Sequence, residues 1–327
     1  MTRTPTRATK TRAETISPAR VITNAIIAKL EAGVSPWRRS WSAANAEPLA
    51  RPLRACGTPY RGINVLWLWC VAESRGYQSA RWMTYRQAQE VGSQVRRGEH
   101  GTMAVFYKSY ASTRTDEATG EECTGQRRVL KAYTVFNVEQ IDNLPDRFLT
   151  PPPALRVIGD TAHQTEIDAF IAASGARIIH GGNQACYRPA ADVINLPHAA
   201  DFDSYADYGA TAAHELAHWT GHPTRLNREL GNRFGDDKYA AEELIAEFSS
   251  ALIGADLGLP VTHLDSHASY IDHWLKILKR DERALLHAAA RAEDAAGYLL
   301  ARAGRVDGTV GAADDADAEI EPRALAA

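Results

Sequence analysis

The stretch Thr211-Ala212-Ala213-His214-Glu215-Leu216-Ala217-His218-Trp219 constrains this chain more than any other feature. Two imidazoles four residues apart project from one face only when the backbone is helical, and there they can share one metal ion. Glu215, directly after the first His, is placed to take a proton from water and pass it to a leaving amine. A catalytic zinc takes three protein ligands and keeps one position for water, so a third ligand has to come from elsewhere in the fold. Ala241-Glu242-Glu243-Leu244-Ile245-Ala246-Glu247 offers it. The spacing beyond His218 allows a turn and a second helix, on which Glu243 and Glu247 share a face. Glu243 is the expected third ligand, and Glu247 the expected outer carboxylate that orients a ligand imidazole. Glu242, roughly 100° around the helix, is the weaker candidate. Spacing alone leaves the choice among the three open. His222 is only four residues past His218, with Pro223 beside it, whereas a metzincin ligand would lie farther along. An H-E-x-x-H pattern also arises by chance on amphipathic helices, and the Glu-rich second helix is what favours a zinc site here.

The chain has 327 residues, 45% of them hydrophobic. Single cores stop growing near ~250–300 residues, so two domains are expected. Pro151, Pro152 and Pro153 force extended backbone and mark the boundary. Residues 1–17, rich in Arg, Thr and Lys, read as a flexible basic arm without the apolar run of a secretory signal. Residues 18–150 form the first domain and 151–303 the second. Residues 304–327, acidic among alanines and glycines, read as a disordered tail. Apolar spacing predicts helices at 21–32, 64–74 and 84–95 and strands at 103–107 and 131–137 around a polar hairpin at 113–126. Beyond the prolines it predicts a helix at 163–173, strands at 177–180 and 193–196 flanking a Gly181-Gly182-Asn183 turn, and helices at 204–221, 238–257, 262–279 and 282–303. The fold class is α+β, the second domain mainly helical with a small sheet. No segment approaches the ~20 apolar residues of a membrane span, so no membrane partner is expected and the chain reads as cytoplasmic. Cys56, Cys70, Cys123 and Cys186 lie too far apart for C-x-x-C chemistry and read as reduced thiols.

The net charge of −3 hides an asymmetry. Residues 1–150 hold 22 Lys+Arg against 13 Asp+Glu, a net +9, which leaves 15 against 27, a net −12, for the rest. One half is thus suited to a polyanion. Its aromatics are interleaved with cations: Trp37, Arg38, Arg39 and Trp41, then Tyr60, Arg61 and Asn64, then Trp82, Tyr85 and Arg86, with Arg96 and Arg97 beyond. Aromatic faces stack on unpaired bases and guanidinium groups neutralise phosphates, so these positions are expected to contact single-stranded DNA with little sequence preference. Trp67, Leu68 and Trp69 sit in an apolar run and read as core.

Several extended motifs give the chain a resemblance to the ArdC-type antirestriction proteins. In the second half they are His214-Glu215-Leu216-Ala217-His218-Trp219-Thr220-Gly221-His222, Arg225-Leu226-Asn227-Arg228 and Tyr239-Ala240-Ala241-Glu242-Glu243-Leu244-Ile245-Ala246-Glu247. In the first half they are Pro36-Trp37, Tyr60-Arg61-Gly62-Ile63-Asn64, Trp82-Met83-Thr84-Tyr85-Arg86-Gln87-Ala88 and Val95-Arg96-Arg97-Gly98-Glu99-His100-Gly101. The resemblance spans roughly residues 18–290. It implies an N-terminal single-stranded-DNA-binding domain, shared with TraC-type plasmid primases, followed by a zincin-like metallopeptidase domain. It implies Zn2+ as cofactor, a mobile-element setting, and a restriction enzyme or other protein as target. The alternative is a non-catalytic single-strand-binding or interaction protein whose zinc is structural or idle. A metal-dependent nuclease fits less well, because phosphodiester chemistry gathers several carboxylates around hard ions.

Overall fold

Ser17 starts helix α1 (Pro18–Glu31) by accepting a hydrogen bond from the Arg20 N–H, and Pro18 sits in the first turn, where its missing donor costs nothing. Ala19, Ile22, Thr23, Ile26 and Leu30 form the buried stripe of that helix. Helix α2 (Ile63–Arg75) ends at Gly76, whose φ of +72° is the left-handed cap that a side chain would resist. The computed structural model describes residues 16–33, 50–115, 122–149, 161–230, 237–259 and 267–305. The proline run and both expected terminal tails therefore lie almost wholly outside the described residues.

The first half continues with strand β1 (Trp82–Met83), helix α3 (Tyr85–Glu90), β2 (Gln94–Val95), β3 (Thr102–Thr115), β4 (Glu122–Asn137), β5 (Ile141–Asp142) and helix α4 (Asp146–Leu149). The sheet order is β1-β4-β3, while β2 pairs separately with β5. Two expectations need correction. The helix expected at 84–95 stops at Glu90, because Gly92 adopts φ +77° and the next residues pair as β2. The strands expected at 103–107 and 131–137 run on into the expected hairpin at 113–126, as one antiparallel ladder from Thr102↔Val135 to Thr115↔Glu122. Backbone hydrogen bonds hold such a ladder without apolar side chains, so hydrophobic periodicity does not register its outer half.

The second half runs through helix α5 (Thr161–Ser174), strands β6 (Arg177–His180), β7 (Cys186–Arg188) and β8 (Val193–Leu196), and helices α6 (Tyr205–Thr220), α7 (Asp237–Leu257), α8 (His267–Arg280) and α9 (Ala284–Arg302). The turn at Gly181-Gly182-Asn183 does not fold β6 back onto β8. The two strands are parallel, and β7 pairs antiparallel with the other edge of β8. A three-residue strand is too short to leave a period-2 signature, which is why β7 was not expected.

One apolar cluster contains residues of both halves. Ile22, Ile26 and Leu66 share it with Trp274, Leu285 and Leu299, and α1 packs on α8 while α2 packs on α9. A smaller cluster of Met83, Ala88, Val95, Val138 and Phe148 fills the end of the first half. Ion pairs cross the same seam: Arg20 to Glu282 at 2.7 Å, Lys279 to Glu31 at 2.6 Å, and Arg51 to Glu293 at 2.9 Å. Among the described residues no helix is long and apolar enough to cross a membrane.

Candidate metal centre

Ser204 caps α6 by accepting the Asp207 N–H at 3.1 Å, and Gly221 closes the helix. Its alanines at 210, 212, 213 and 217 are buried, and they let neighbouring helices approach closely. The helix is consequently enclosed by α5, α7 and α9, leaving His214 and Glu215 only 4% and 5% exposed.

The two imidazoles turn toward each other and toward α7. Their Nε2 atoms are 3.2 Å apart. Glu243 Oε2 lies 3.6 Å from His214 Nε2, and Glu243 Oε1 lies 3.5 Å from His218 Nε2. Ligand atoms of His214, His218 and Glu243 all fall within 4.8 Å of one another, close enough for one ion to contact all three. Behind them, Glu247 Oε1 is 3.5 Å from His214 Nδ1 and Glu242 Oε1 is 3.3 Å from His218 Nδ1. Each histidine thus presents one nitrogen to the common point and the other to a carboxylate, the support that metal-binding imidazoles characteristically receive. The donor set fits a divalent metal of zinc type.

Glu242 is the residue that sequence reasoning undervalued. Its position 100° around α7 would be solvent on a half-buried helix, but Glu242, Glu243, Ala246 and Glu247 are all buried. Arg228 donates to both Glu242 oxygens, at 2.6 and 3.0 Å, and also to the Ala217 carbonyl and the Thr220 hydroxyl. The Arg225-Leu226-Asn227-Arg228 motif is therefore a strap that returns to the end of α6. Arg225 lies over the Trp219 ring at 3.8 Å and donates to Asp192 at 2.5 and 3.0 Å. Tyr187 donates to Asp192 at 2.9 Å, tying β7 into the same contact. His222, by contrast, contacts the Thr224 hydroxyl and takes no part in the cluster.

The electrostatics follow from burial and charge. Burial would raise the Glu243 carboxyl, but the His218 and His214 imidazoles outweigh it and hold it at about 2. Burial disfavours charge on His218, yet Glu243 and Glu242 lift it to about 9. For Glu215 burial wins over the two imidazoles, and its carboxyl is pushed up.

The expected DNA-contacting residues separate into three groups. Trp37, Arg38, Arg39 and Trp41 lie outside the described residues. Tyr60, Asn64 and Trp82 are buried, which corrects their reading as base-contacting side chains. The Asn64 side chain bonds both ways with the Val105 backbone, and Trp82 packs edge-on against Tyr77. Arg61 faces Glu293 at 3.6 Å and so serves the seam between the halves, with part of its charge already neutralised. Tyr85, Arg86, Arg96 and Arg97 are exposed. Arg86 pairs with Glu90, and Arg96 with Glu99 and Asp142.

Comparison with known proteins places both halves. Residues 17–136 match the N-terminal domain of anti-restriction factor ArdC, and residues 165–291 match a zincin-like metallopeptidase family. The chain is 38% identical over 285 residues to an uncharacterized Sinorhizobium fredii protein, y4eC, covering 86% of this chain and 91% of that one. It is 39% identical over 290 residues to the Escherichia coli DNA primase TraC, but spans only 26% of that protein's length. A metal-free crystal structure of the antirestriction protein ArdC from plasmid R388 is 43% identical, with a TM-score of 0.73 over 89% of this chain and 99% of that one. A Mn(II)-bound structure of the same protein is 42% identical, with a TM-score of 0.71 over 89% of this chain and 100% of that one. An ArdC-type first half, a zincin-like second half and this structural likeness along nearly the whole chain establish that the protein belongs to the ArdC antirestriction family.

Proposed function

We propose that the chain is a metal-dependent peptidase joined to a single-stranded-DNA-binding half, acting in the cytoplasm on behalf of a mobile element against restriction. The observation that carries the peptidase reading is the convergence of His214, His218 and Glu243 ligand atoms within 4.8 Å, beside the buried Glu215. Two imidazoles and a carboxylate suit zinc better than a hard cation, although a relative binds Mn(II), so the ion is a matter for competition. When bound, such an ion lowers the pKa of water to ~7 and polarises a carbonyl. Glu215 accepts the proton of the attacking water and delivers it to the leaving amine. Glu242 and Glu247 hold the imidazoles in the tautomer that directs Nε2 inward. The enclosed helices exclude competing water. In this reading residues 18–150 serve DNA, 151–303 serve hydrolysis, and the substrate is a restriction enzyme or another protein met near incoming DNA.

The test is hydrolysis of a broad peptide library by metal-loaded wild type and Glu215→Gln. The amide keeps the shape but accepts no proton, so cleavage is expected to fall by ~10²–10⁴-fold with metal retained. Full activity in the variant would refute the role of Glu215. A metal-loaded wild type that cleaves nothing would refute the peptidase reading.

A further inference from the structure

With Tyr60 and Trp82 buried, the exposed aromatic side chains among the described residues are Tyr85, Tyr107 and Tyr110, and two of these stand on the β3–β4 ribbon. The paired strands of the ribbon are also rich in cations. Its two strands carry Lys108, Arg114, Arg127, Arg128 and Lys131 against Glu122, while the segment that joins them adds Asp116, Glu117 and Glu121 at the far end. The register orders these residues by face. Phe106 is opposite Lys131 and Lys108 opposite Val129, while Tyr107 is opposite Leu130. Side chains alternate along a strand, so Phe106, Lys108, Tyr110 and Lys131 share one face and Tyr107 lies on the other. Phe106 meets Tyr133 edge-on at 5.8 Å, and Lys108 Nζ stands 5.9 Å from the Tyr110 ring centre. The first contact is an ordinary cross-strand pair that stabilises the sheet. Tyr110, 41% exposed beside the exposed Lys108, is not explained that way.

We infer that the Phe106–Lys108–Tyr110–Lys131 face of this ribbon is the platform on which unpaired bases of a single DNA strand stack. The inference rests on the reading of the first half as DNA-binding and locates where that binding occurs. Phe106 and Tyr110 are four positions apart, about 13 Å along the strand, so successive unstacked bases can meet different rings with a cation between them. Base–aromatic stacking contributes ~1–3 kcal/mol per base, and the lysines add the phosphate term. Duplex bases are already stacked and gain only the latter. Among the described residues the acidic second half exposes no large aromatic side chain; those that are exposed all lie before residue 111.

The experiment titrates full-length protein with a labelled oligo-dT strand and with duplex of equal length, at two salt concentrations. Tyr110 is exposed, so its substitution leaves the fold intact. Tyr110→Ala should weaken strand binding roughly 5- to 100-fold, Tyr110→Trp should restore it, and Tyr107→Ala across the ribbon should leave it unchanged. Lys108→Gln and Lys131→Gln should each lower the salt slope by ~0.7. If wild type binds the strand but Tyr110→Ala does not differ from it, or Tyr107→Ala weakens binding equally, the platform is wrong while the DNA reading stands. If wild type prefers no strand over duplex, both are wrong.

Discussion

His218 is held from both ring nitrogens, by Glu243 at 3.5 Å on one side and by Glu242 at 3.3 Å on the other, and Glu242 is in turn fixed by Arg228. A carboxylate behind a ligand imidazole fixes its tautomer and raises its basicity, and its loss typically costs ~10–100-fold in metal affinity. Glu242→Gln is therefore expected to weaken metal binding by about that factor in a chelator competition, with His214 and Glu243 still in place. Unchanged affinity would mean that the Arg228–Glu242 pair serves only to strap the loop after α6. At this scale the site was half legible. His214, Glu215 and His218 follow from local helical spacing, which a sequence displays directly. The role of Glu242 depends on how much of the α7 circumference is buried, and that is set by packing against α6 and α9, not by α7 itself.

At the scale of elements, two glycines on long helices make opposite predictions. A Cβ at Gly209 on α6 would stand 2.9 Å from Ile167 and 3.2 Å from Leu259, so α5 packs against the space a side chain would fill. Gly209→Ala should destabilise by ~1–3 kcal/mol through overpacking. Gly297 on α9 meets nothing within 4 Å, and Gly297→Ala should stabilise by ~0.5–1 kcal/mol through helix propensity. Denaturant midpoints of the two variants would contradict the packing if they shifted in the same direction. The strap on β7 has a pH signature. Hydrogen bonds from Arg225 and then Tyr187 hold the Asp192 carboxyl below its ordinary value against some burial. A group whose folded pKa is depressed contributes stability above its unfolded value of ~3.9 and loses it as pH falls through the folded value. The stability gap between wild type and Asp192→Asn should hence be constant near neutrality and narrow toward pH 3. A gap that persists in acid would show that the carboxylate charge is not what the strap uses. Long helices were legible because their apolar stripes repeat for several turns. Strand β7 and the outer ribbon were not, since one is three residues long and the other is held by backbone pairing along a stretch poor in apolar residues.

Over the whole molecule, the basic and acidic halves share one interior, closed by a buried ionic cluster. Glu293 accepts from Arg51 at 2.9 Å and from the Gly62 N–H at 3.0 Å, partners 242 and 231 residues away in sequence. Asp256 reaches Arg51 at 3.2 Å. Removing one member of a buried pair strands the other, so Glu293→Ala should cost ~3–5 kcal/mol, and wild type should unfold in one transition followed equally by probes in either half. Two separated transitions would restore the picture of independent cores that length and the proline run suggested. Composition could not reveal this seam, because long-range ion pairs and shared apolar faces leave no local pattern. Metal content of the purified full-length chain tests the metal centre most directly. After zinc loading and desalting, wild type and Glu215→Gln should retain one ion per chain, Glu242→Ala should retain it more weakly, and His214→Ala and Glu243→Ala should lose it. Stoichiometric metal surviving in His214→Ala or Glu243→Ala, or none in wild type, would contradict the assignment of His214, His218 and Glu243.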